Sequence, residues 1–172
     1  MTNETRQSIR DHIDRDPGVH FRELTRVLDL ATGQVQYHIR RLDDVTTETV
    51  NGRTHYYPPE YDGWERRALA LLRRETARDV VATLFKADGA RPDAVADHLG
   101  IARSTLEHHL DGLVEHGVVE KRRDGGRVTL ELVDPAETAR LVRELEPSLP
   151  ARLTDRFERL VDNLLESPDG RD

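Results

Sequence analysis

The chain has 172 residues, which is enough for one domain or for two small domains with hydrophobic cores of their own. It contains no cysteine, so disulfides, thiolate catalysis and thiolate zinc sites are excluded. Residues 1–15 are polar and no apolar run approaches the roughly 18 residues of a membrane span. These features predict a cytoplasmic protein that makes no membrane contact.

The charge balance is acidic, and the basic residues are almost all arginine. The chain has 26 Lys+Arg against 33 Asp+Glu, a formal net charge of −7, and Lys86 and Lys121 are its lysines. An acidic surface with arginine in place of lysine is typical of proteins adapted to high salt, so we expect a halophilic source. A GC-rich genome at ordinary salt is the alternative explanation.

An internal repeat organises the chain. Residues 18–42 align without a gap with residues 89–113, an offset of 71. The coinciding pairs are Leu24 with Val95, Leu28 with Leu99, Leu30 with Ile101, Val35 with Leu106, Ile39 with Leu110, Leu42 with Leu113, and His38 with His109. The repeat therefore predicts two domains of the same fold.

Each copy predicts two short helices joined by a tight turn, which is the helix-turn-helix pattern. In the first copy, apolar residues at helical spacing place the third helix of the domain over residues 32–42. An amphipathic helix precedes each copy. A β-hairpin follows each one, with strands 45–50 and 53–57 around Asn51-Gly52, and strands 118–123 and 127–133 around residues 124–126.

Both third helices are expected to begin behind an alanine, at Ala31 and Ala102. Serine or threonine is a better N-terminal cap, because its side chain accepts a hydrogen bond from a backbone N–H of the first turn. The alanines cost about 1 kcal/mol per helix.

Three helices followed by a hairpin "wing" make a winged helix-turn-helix. The chain resembles the archaeal, and especially haloarchaeal, winged-helix transcription regulators of the ArsR/MarR-like type. The resemblance rests on Phe21-Arg-Glu-Leu, Gln36-Tyr-His-Ile-Arg-Arg-Leu and Glu107-His-His-Leu-Asp-Gly-Leu, and it covers about residues 5–58 and 76–133. It implies a mainly α fold with small β-hairpin wings (α+β), with two winged helix-turn-helix domains in tandem plus C-terminal helices.

We expect four segments along the chain. They are the first winged domain at 1–61, a linker helix capped by Asp62 at 62–75 that can continue into 76–87, the second winged domain at 76–134, and C-terminal helices at 135–172. The last segment opens with Asp134-Pro135, an N-cap followed by proline, and its first helix ends near Glu146.

An apolar stripe in the last segment is predicted to pair two chains as a homodimer. Its residues are Leu153, Phe157, Leu160, Val161 and Leu164. An amphipathic helix after a complete domain must bury its stripe, and folding back on the second domain is the alternative.

The outer face of the first copy's third helix carries side chains suited to reading DNA in the major groove. We expect base contacts from Thr32, Gln34, Gln36, Tyr37 and Arg40, close backbone approach at Gly33, phosphate contacts from Arg41 and Arg53, and a further wing contact from His55. Glutamine suits adenine, and arginine suits guanine or phosphate. The alternative is that Arg40 and Arg41 are only solvated surface residues.

The second copy carries mixed charges on the equivalent surface. Its candidate contacts are Arg103, Ser104 and Thr105 on the third helix, and Lys121, Arg122, Arg123 and Arg127 on the wing. However, Glu107, Asp111 and Glu115 lie on the same helix, and carboxylates repel the phosphate backbone. DNA contact through the helix tip and wing, and a scaffold role without DNA, both stay open.

Metal and catalytic sites have weaker support. His108, Asp111, Glu115 and His116 lie near one another in sequence, but the pattern is too loose to predict a metal site, and we expect no cofactor. We interpret His38 and His109 as core residues whose ring nitrogens bond backbone carbonyls. Ser8 and His12 are one helical turn apart without a third catalytic residue, so we expect no enzyme.

The sequence therefore predicts a transcription regulator that binds double-stranded DNA, mainly through the third helix and wing of the first domain. Two other classes of function fit the same residues. One is a winged-helix adaptor whose third helix docks on protein, which the acidic face of the second copy favours. The other is a metal- or ligand-responsive repressor.

Overall fold

A computed structural model gives the fold of residues 2–145. The described residues divide into two compact units, with the boundary between Ala70 and Leu71. The apolar stripe predicted to form a dimer, at Leu153, Phe157, Leu160, Val161 and Leu164, lies outside the described residues. Within the described part, no helix has the length and apolar character that crossing a membrane requires.

The first unit is a three-helix domain with a small sheet. Its elements are α1 (Thr2–Arg15), β1 (Val19–His20), α2 (Phe21–Leu28), α3 (Thr32–Ile39), β2 (Thr46–Val50) and β3 (Arg53–Tyr57), followed by α4 (Gly63–Leu72), which continues into the second unit. The antiparallel sheet has the order β1-β3-β2. Strand β1 is too short for sequence periodicity to reveal, and it was not predicted.

The second unit repeats this arrangement. Its elements are α5 (Glu75–Lys86), α6 (Pro92–Leu99), α7 (Arg103–Glu115), β4 (Val119–Asp124), β5 (Arg127–Leu132) and α8 (Pro135–Leu145). Ala90 forms a single antiparallel bridge with Leu130, at the place that β1 occupies in the first unit. The prediction of a mainly helical fold with hairpin wings is confirmed.

The repeated apolar positions form the cores, as the alignment predicts. In the first unit, Leu24 and Val35 are fully buried together with Ile9 and Ile13 of α1. In the second unit, the equivalent residues of α6 and α7, with the rest of the α7 stripe, are fully buried (Val95, Leu106, Leu110 and Leu113). Each buried aliphatic side chain contributes about 1.5–3 kcal/mol, so the repeated stripe stabilises both domains.

Helix α3 is shorter than predicted, because it ends at Ile39 and not at Leu42. The backbone N–H groups of Arg41 and Leu42 donate to the carbonyls of His38 and Ile39, three residues back. Bonds of this spacing tighten the chain into a 3₁₀-type turn and end the α-helix. In the second unit, α7 continues to Glu115.

The wing turns follow the predicted backbone geometry. Asn51 and Gly52 have φ of 51° and 74°, the pair of positive values that a type I′ turn requires. In the second wing, β4 extends to Asp124, one residue beyond the prediction. The turn there contains Gly125 and Gly126, because the cross-strand pairing continues as far as Asp124 with Arg127.

The linker is two helices and not one continuous helix. Asp62 caps α4 in a reciprocal box, because its carboxylate accepts from the Glu65 N–H at 2.8 Å and the Glu65 carboxylate accepts from the Asp62 N–H at 2.7 Å. Arg74 then adopts an extended backbone, with φ −85° and ψ 128°, before α5 begins. Asp134 caps α8 as predicted, since its carboxylate accepts from the Glu137 N–H at 3.0 Å.

Ala102→Ser is expected to stabilise the second unit by about 1 kcal/mol. Ala102 is the N-cap of α7 with an extended backbone (φ −64°, ψ 147°), and it makes no side-chain capping bond. A serine hydroxyl there can accept from a backbone N–H of the first turn. Urea denaturation of wild type, Ala102→Ser and Ala102→Gly checks this, and a serine variant no more stable than wild type would contradict it.

Candidate nucleic-acid interface

Helix α3 buries one face and exposes the other. Val35 and His38 are buried against the domain, while the remaining residues predicted to contact DNA on this helix are exposed (Thr32, Gly33, Gln34, Gln36, Tyr37 and Arg40). At Gly33, an added Cβ would meet no atom within 4 Å, so the surface around it is open. The burial pattern therefore leaves the predicted face accessible.

An open groove of about 900 Å³ lies between the start of α2, the exposed face of α3 and the first wing. It is lined by His20, Phe21, Arg22, Gln36, Ile39, Arg40, Asn51, Gly52, Arg53, Thr54 and Tyr56. We call it the α3–wing groove. It brings together three residues from the predicted set, namely Gln36, Arg40 and Arg53.

The charge in this groove is one-sided. Its lining contains three arginines, Arg22, Arg40 and Arg53, and no carboxylate. Within residues 2–145, none of the three forms an ion pair. Arg22 was not predicted from the sequence, because nothing in the pattern of α2 shows that its first turn reaches the wing.

Arg41 lies against a different surface from Arg40. Its guanidinium stacks on the Tyr37 ring at 3.7 Å from the centroid and donates to the Tyr37 carbonyl at 3.2 Å. It lines a smaller pocket of about 360 Å³ with Arg6, Arg10 and residues following α3. The two predicted arginines thus serve two surfaces, and Arg41 also orders the exposed Tyr37 ring.

Two predicted contacts have local partners in the structure. The Gln34 side-chain oxygen accepts from the Ala31 N–H at 3.1 Å, which partly replaces the missing cap of α3. The prediction that His55 is presented at the wing surface is wrong. His55 is only 6% exposed, and its Nδ1 donates to the Gly18 carbonyl at 2.7 Å, because β3 pairs with β1 on that side.

The first wing is held from its far side by α4. Arg66 Nε donates to Glu48 of β2 at 3.0 Å, and its Nη1 donates to the Tyr61 carbonyl at 2.7 Å. The Tyr57 hydroxyl of β3 donates to the Arg66 carbonyl at 2.5 Å. These bonds fix both wing strands, so the wall of the groove is a rigid one.

The equivalent surface of the second unit is crossed by ion pairs. Arg103 of α7 forms an ion pair with Asp93 of α6, and its Nη2 lies 2.8 Å from a carboxylate oxygen of Glu107. Lys121 of β4 donates to the other oxygen of Glu107 at 2.8 Å. Hydrogen bonds from Lys121 and Arg103 lower the pKa of Glu107, and the hydrogen bond to Glu107 raises the pKa of Arg103.

The other candidates of the second unit differ in their partners. Arg122 lies 3.3 Å from the carboxylate of Glu120 on its own strand and 3.3 Å from that of Glu131 on the partner strand. Arg123 and Arg127, near the tip of this wing, are exposed and have no ion pair within the described part of the chain. Ser104 and Thr105 are exposed on the first turn of α7.

The histidines do not gather into a metal site in the part of the chain that the structure describes, where no group of three or more metal-binding side chains occurs. His38 is 4% exposed, as a core residue should be. However, its Nδ1 has no hydrogen-bond partner, so the predicted bond to a backbone carbonyl is absent at that atom in the described structure.

His38 is expected to make folding pH-dependent. Burial, with smaller effects of Arg6 and Arg41, lowers its pKa below the ordinary value of 6.5. The unfolded chain then binds a proton that the folded protein does not, so the free energy of unfolding falls as the pH drops below about 6.5. Urea denaturation at pH 7.5 and pH 5.5, values chosen on either side of about 6.5, should show a smaller fall in the free energy of unfolding for His38→Leu than for wild type.

The matched control for this prediction is Val35→Ala, on the same face of α3. It removes equally buried apolar surface and should lower stability without changing the pH dependence. An unchanged decline in His38→Leu would show that His38 does not carry the effect. Burial, with smaller effects of His108 and Arg74, also lowers the pKa of His109. The free energy of unfolding of the double variant His38→Leu/His109→Leu should therefore fall least between pH 7.5 and pH 5.5.

Comparison with known proteins identifies both repeats. A family model described as an N-terminal HTH domain matches residues 3–69, and a second, described as a helix-turn-helix domain, matches residues 71–122. The chain is a tandem helix-turn-helix protein. Both matching families are helix-turn-helix domains and not enzyme families.

This tandem helix-turn-helix protein is 28% identical over 131 residues to an uncharacterized HTH-type transcriptional regulator of Methanocaldococcus jannaschii. The match covers 74% of the chain but 33% of the relative, so the chain spans about a third of that relative's length. Among solved structures, it is similar to an ArsR-like transcriptional regulator from Rhodococcus sp. RHA1, with a TM-score of 0.41 and 21% identity, over 63% of this chain and 95% of that one. It is also similar to disulfide-formed AbfR, with a TM-score of 0.40 and 17% identity, over 60% and 78% of the two chains.

Proposed function

We propose that this chain is a transcription regulator whose first domain binds double-stranded DNA in a sequence-specific way. The α3–wing groove carries the proposal, because it joins three arginines without ion-pair partners in the described residues to the amides of Gln36 and Asn51. Amides and guanidiniums are the groups that read base edges, and free arginines neutralise phosphates.

Each side chain has a role in this proposal. Gln36 and Arg40, with Thr32 and Tyr37, face the base edges from α3, and Arg53 on the wing contacts the phosphate backbone. Arg41 reaches a phosphate from its stacked position on Tyr37. The second domain adds auxiliary contacts through Arg123 and Arg127, whose exposure supports that role.

We further propose that the protein acts as a homodimer in the cytoplasm of an archaeon that lives in high salt. The dimer rests on the apolar stripe of residues 153–164, and the setting is supported by the net charge of −7 and the preference for arginine over lysine. In concentrated salt, release of counterions drives binding less, so base contacts must supply more of the affinity.

The test is selection of sites from a library of random duplexes with the full-length protein, followed by fluorescence anisotropy at several salt concentrations. A regulator should enrich one sequence motif and bind it with an affinity that falls steeply with salt. Enrichment of no motif, with no duplex bound at any salt, would reject the proposal.

That negative result would favour a different class of function. The carboxylates on the α6–α7 surface support an adaptor that docks on protein, since they repel the DNA backbone. Co-purification of a partner that contacts α3 and α7 would then be the expected finding.

A further inference from the structure

We infer that three pairs of equivalent positions decide which repeat presents a DNA-binding groove beside its third helix, and that they confine groove binding to the first repeat. The first repeat has Arg22, Gln36 and Arg40, and the second has Asp93, Glu107 and Asp111 at an offset of 71 residues. This inference rests on the proposed DNA binding of the first domain. It adds Arg22 as a contact residue and excludes the α6–α7 surface.

Arg22 is placed where it does not help its own helix. It lies in the first turn of α2, where the helix dipole favours an anion and disfavours a cation. In the second repeat, the equivalent residue is Asp93 in the first turn of α6, where its negative charge interacts favourably with the helix dipole. An exposed arginine that opposes the dipole, lines the α3–wing groove and pairs with no carboxylate in residues 2–145 is therefore suited to an external anion.

The partners of Arg22 in the groove point to a DNA strand as that anion. Arg22 of α2 and Arg53 of β3 line the same groove as Gln36 and Arg40 of α3. Cations that share a groove with base-reading groups are placed to hold the phosphate backbone while the helix lies in the major groove. The geometry thus assigns Arg22 to a phosphate.

In the second repeat, carboxylates occupy the same positions and engage the nearby cations. Asp93 and Glu107 both bind Arg103, and Glu107 also binds Lys121. Asp111, at the position of Arg40, is exposed, and its side chain forms no hydrogen bond or ion pair with any described residue. Its charge is therefore uncompensated and would face the phosphates if α7 lay against DNA.

The chain supplies its own matched control four residues further along each helix. Arg26 of α2 and Asp97 of α6 are also equivalent, exposed and opposite in charge, but Arg26 does not line the α3–wing groove. Arg22→Asp and Arg26→Asp change the net charge equally, as do Asp93→Arg and Asp97→Arg. A difference in DNA affinity between the two variants of a pair is therefore due to the position of the substitution and not to the total charge.

Binding of a short fluorescein-labelled duplex of random sequence to the full-length protein is measured by anisotropy at several salt concentrations. Arg22→Asp should weaken binding at least about tenfold and lower the salt slope by about one, whereas Arg26→Asp should stay within about twofold of wild type. The melting temperature of Arg22→Asp should be no lower than that of wild type, since aspartate suits the first turn of a helix.

The reverse change should give the second repeat a DNA-binding surface. Asp93→Arg should strengthen binding, Asp97→Arg should not, and Asp93→Arg combined with Asp111→Arg should strengthen it at least about fivefold. Equal effects of Arg22→Asp and Arg26→Asp, or no gain from the double arginine variant when its melting curve is normal, would overturn the inference while leaving the proposed function standing. Failure of wild type to bind the duplex even at low salt would overturn both.

Discussion

Replacing Gln36 and Arg40 together with alanine is expected to abolish sequence-specific DNA binding, with a loss of at least about 100-fold in affinity for the selected site. Each well-placed base contact contributes about 1–3 kcal/mol of discrimination, and both side chains line the α3–wing groove. Both are exposed and neither side chain makes a hydrogen bond within the described residues. The melting temperature should therefore be nearly unchanged.

Glu107→Ala with Asp111→Ala is the matched control, because it truncates the equivalent positions of the second repeat. Removing carboxylates there should not weaken binding. Anisotropy on the selected site and on a scrambled duplex separates the two classes of contact. Wild-type affinity for the selected site in the Gln36/Arg40 double variant would reject the assignment of α3 as the reading helix.

The fold could be predicted from the sequence wherever the repeated spacing of apolar residues indicates which side chains are buried. Val35 and Leu106, equivalent in the two repeats, are both fully buried in the structure. Boundaries were harder to predict, because they depend on hydrogen bonds that leave no periodic signal. The end of α3 at Ile39 and the break before α5 at Arg74 are both decided by backbone bonds of single residues.

The candidate site was predictable only where a single element carries it. Exposure of Gln36 and Arg40 follows from the helical period of α3. By contrast, Arg22 reaches the groove and His55 leaves it because of how α2 and β1 meet the wing, which no local pattern shows. A cation in the first turn of α2 was the one available signal for Arg22, since it opposes the helix dipole.

The two repeats share a fold but differ in what fills the cleft beside the third helix. In the first, the wing is fixed from outside by Arg66, and the groove stays free of carboxylates. In the second, Glu107 links α7 to the wing through Lys121. Under the proposed function, equivalent positions serve recognition in one copy, whereas in the other they are engaged in internal pairing, and a family resemblance alone would assign both the same role.

Arg78→Met is expected to destabilise the second unit by about 3 kcal/mol. Arg78 is 3% exposed, and its Nη1 donates to the carbonyls of Leu72 and Arg73 at 2.9 and 2.7 Å. These carbonyls close α4, where a helix leaves its last acceptors without partners. Methionine fills similar volume but donates to neither carbonyl, and the loss of a donor costs about 1–3 kcal/mol for each buried acceptor that is left unsatisfied.

Burial works in the opposite direction, because it lowers the pKa of Arg78 and makes the charge itself costly to fold. We expect the loss of the carbonyl bonds to have the larger effect, since two hydrogen bonds from a charged donor are lost. Arg78→Lys, which keeps the charge but has less reach, should fall between wild type and Arg78→Met.

Lys86→Met is the control, because Lys86 is exposed at the end of the same helix and its loss should change stability by less than about 0.5 kcal/mol. Urea denaturation followed by circular dichroism gives the free energies of all four proteins. If Arg78→Met is as stable as Lys86→Met, relief of the buried charge outweighs the lost carbonyl bonds, and α5 is joined to the end of α4 by apolar packing and not by Arg78.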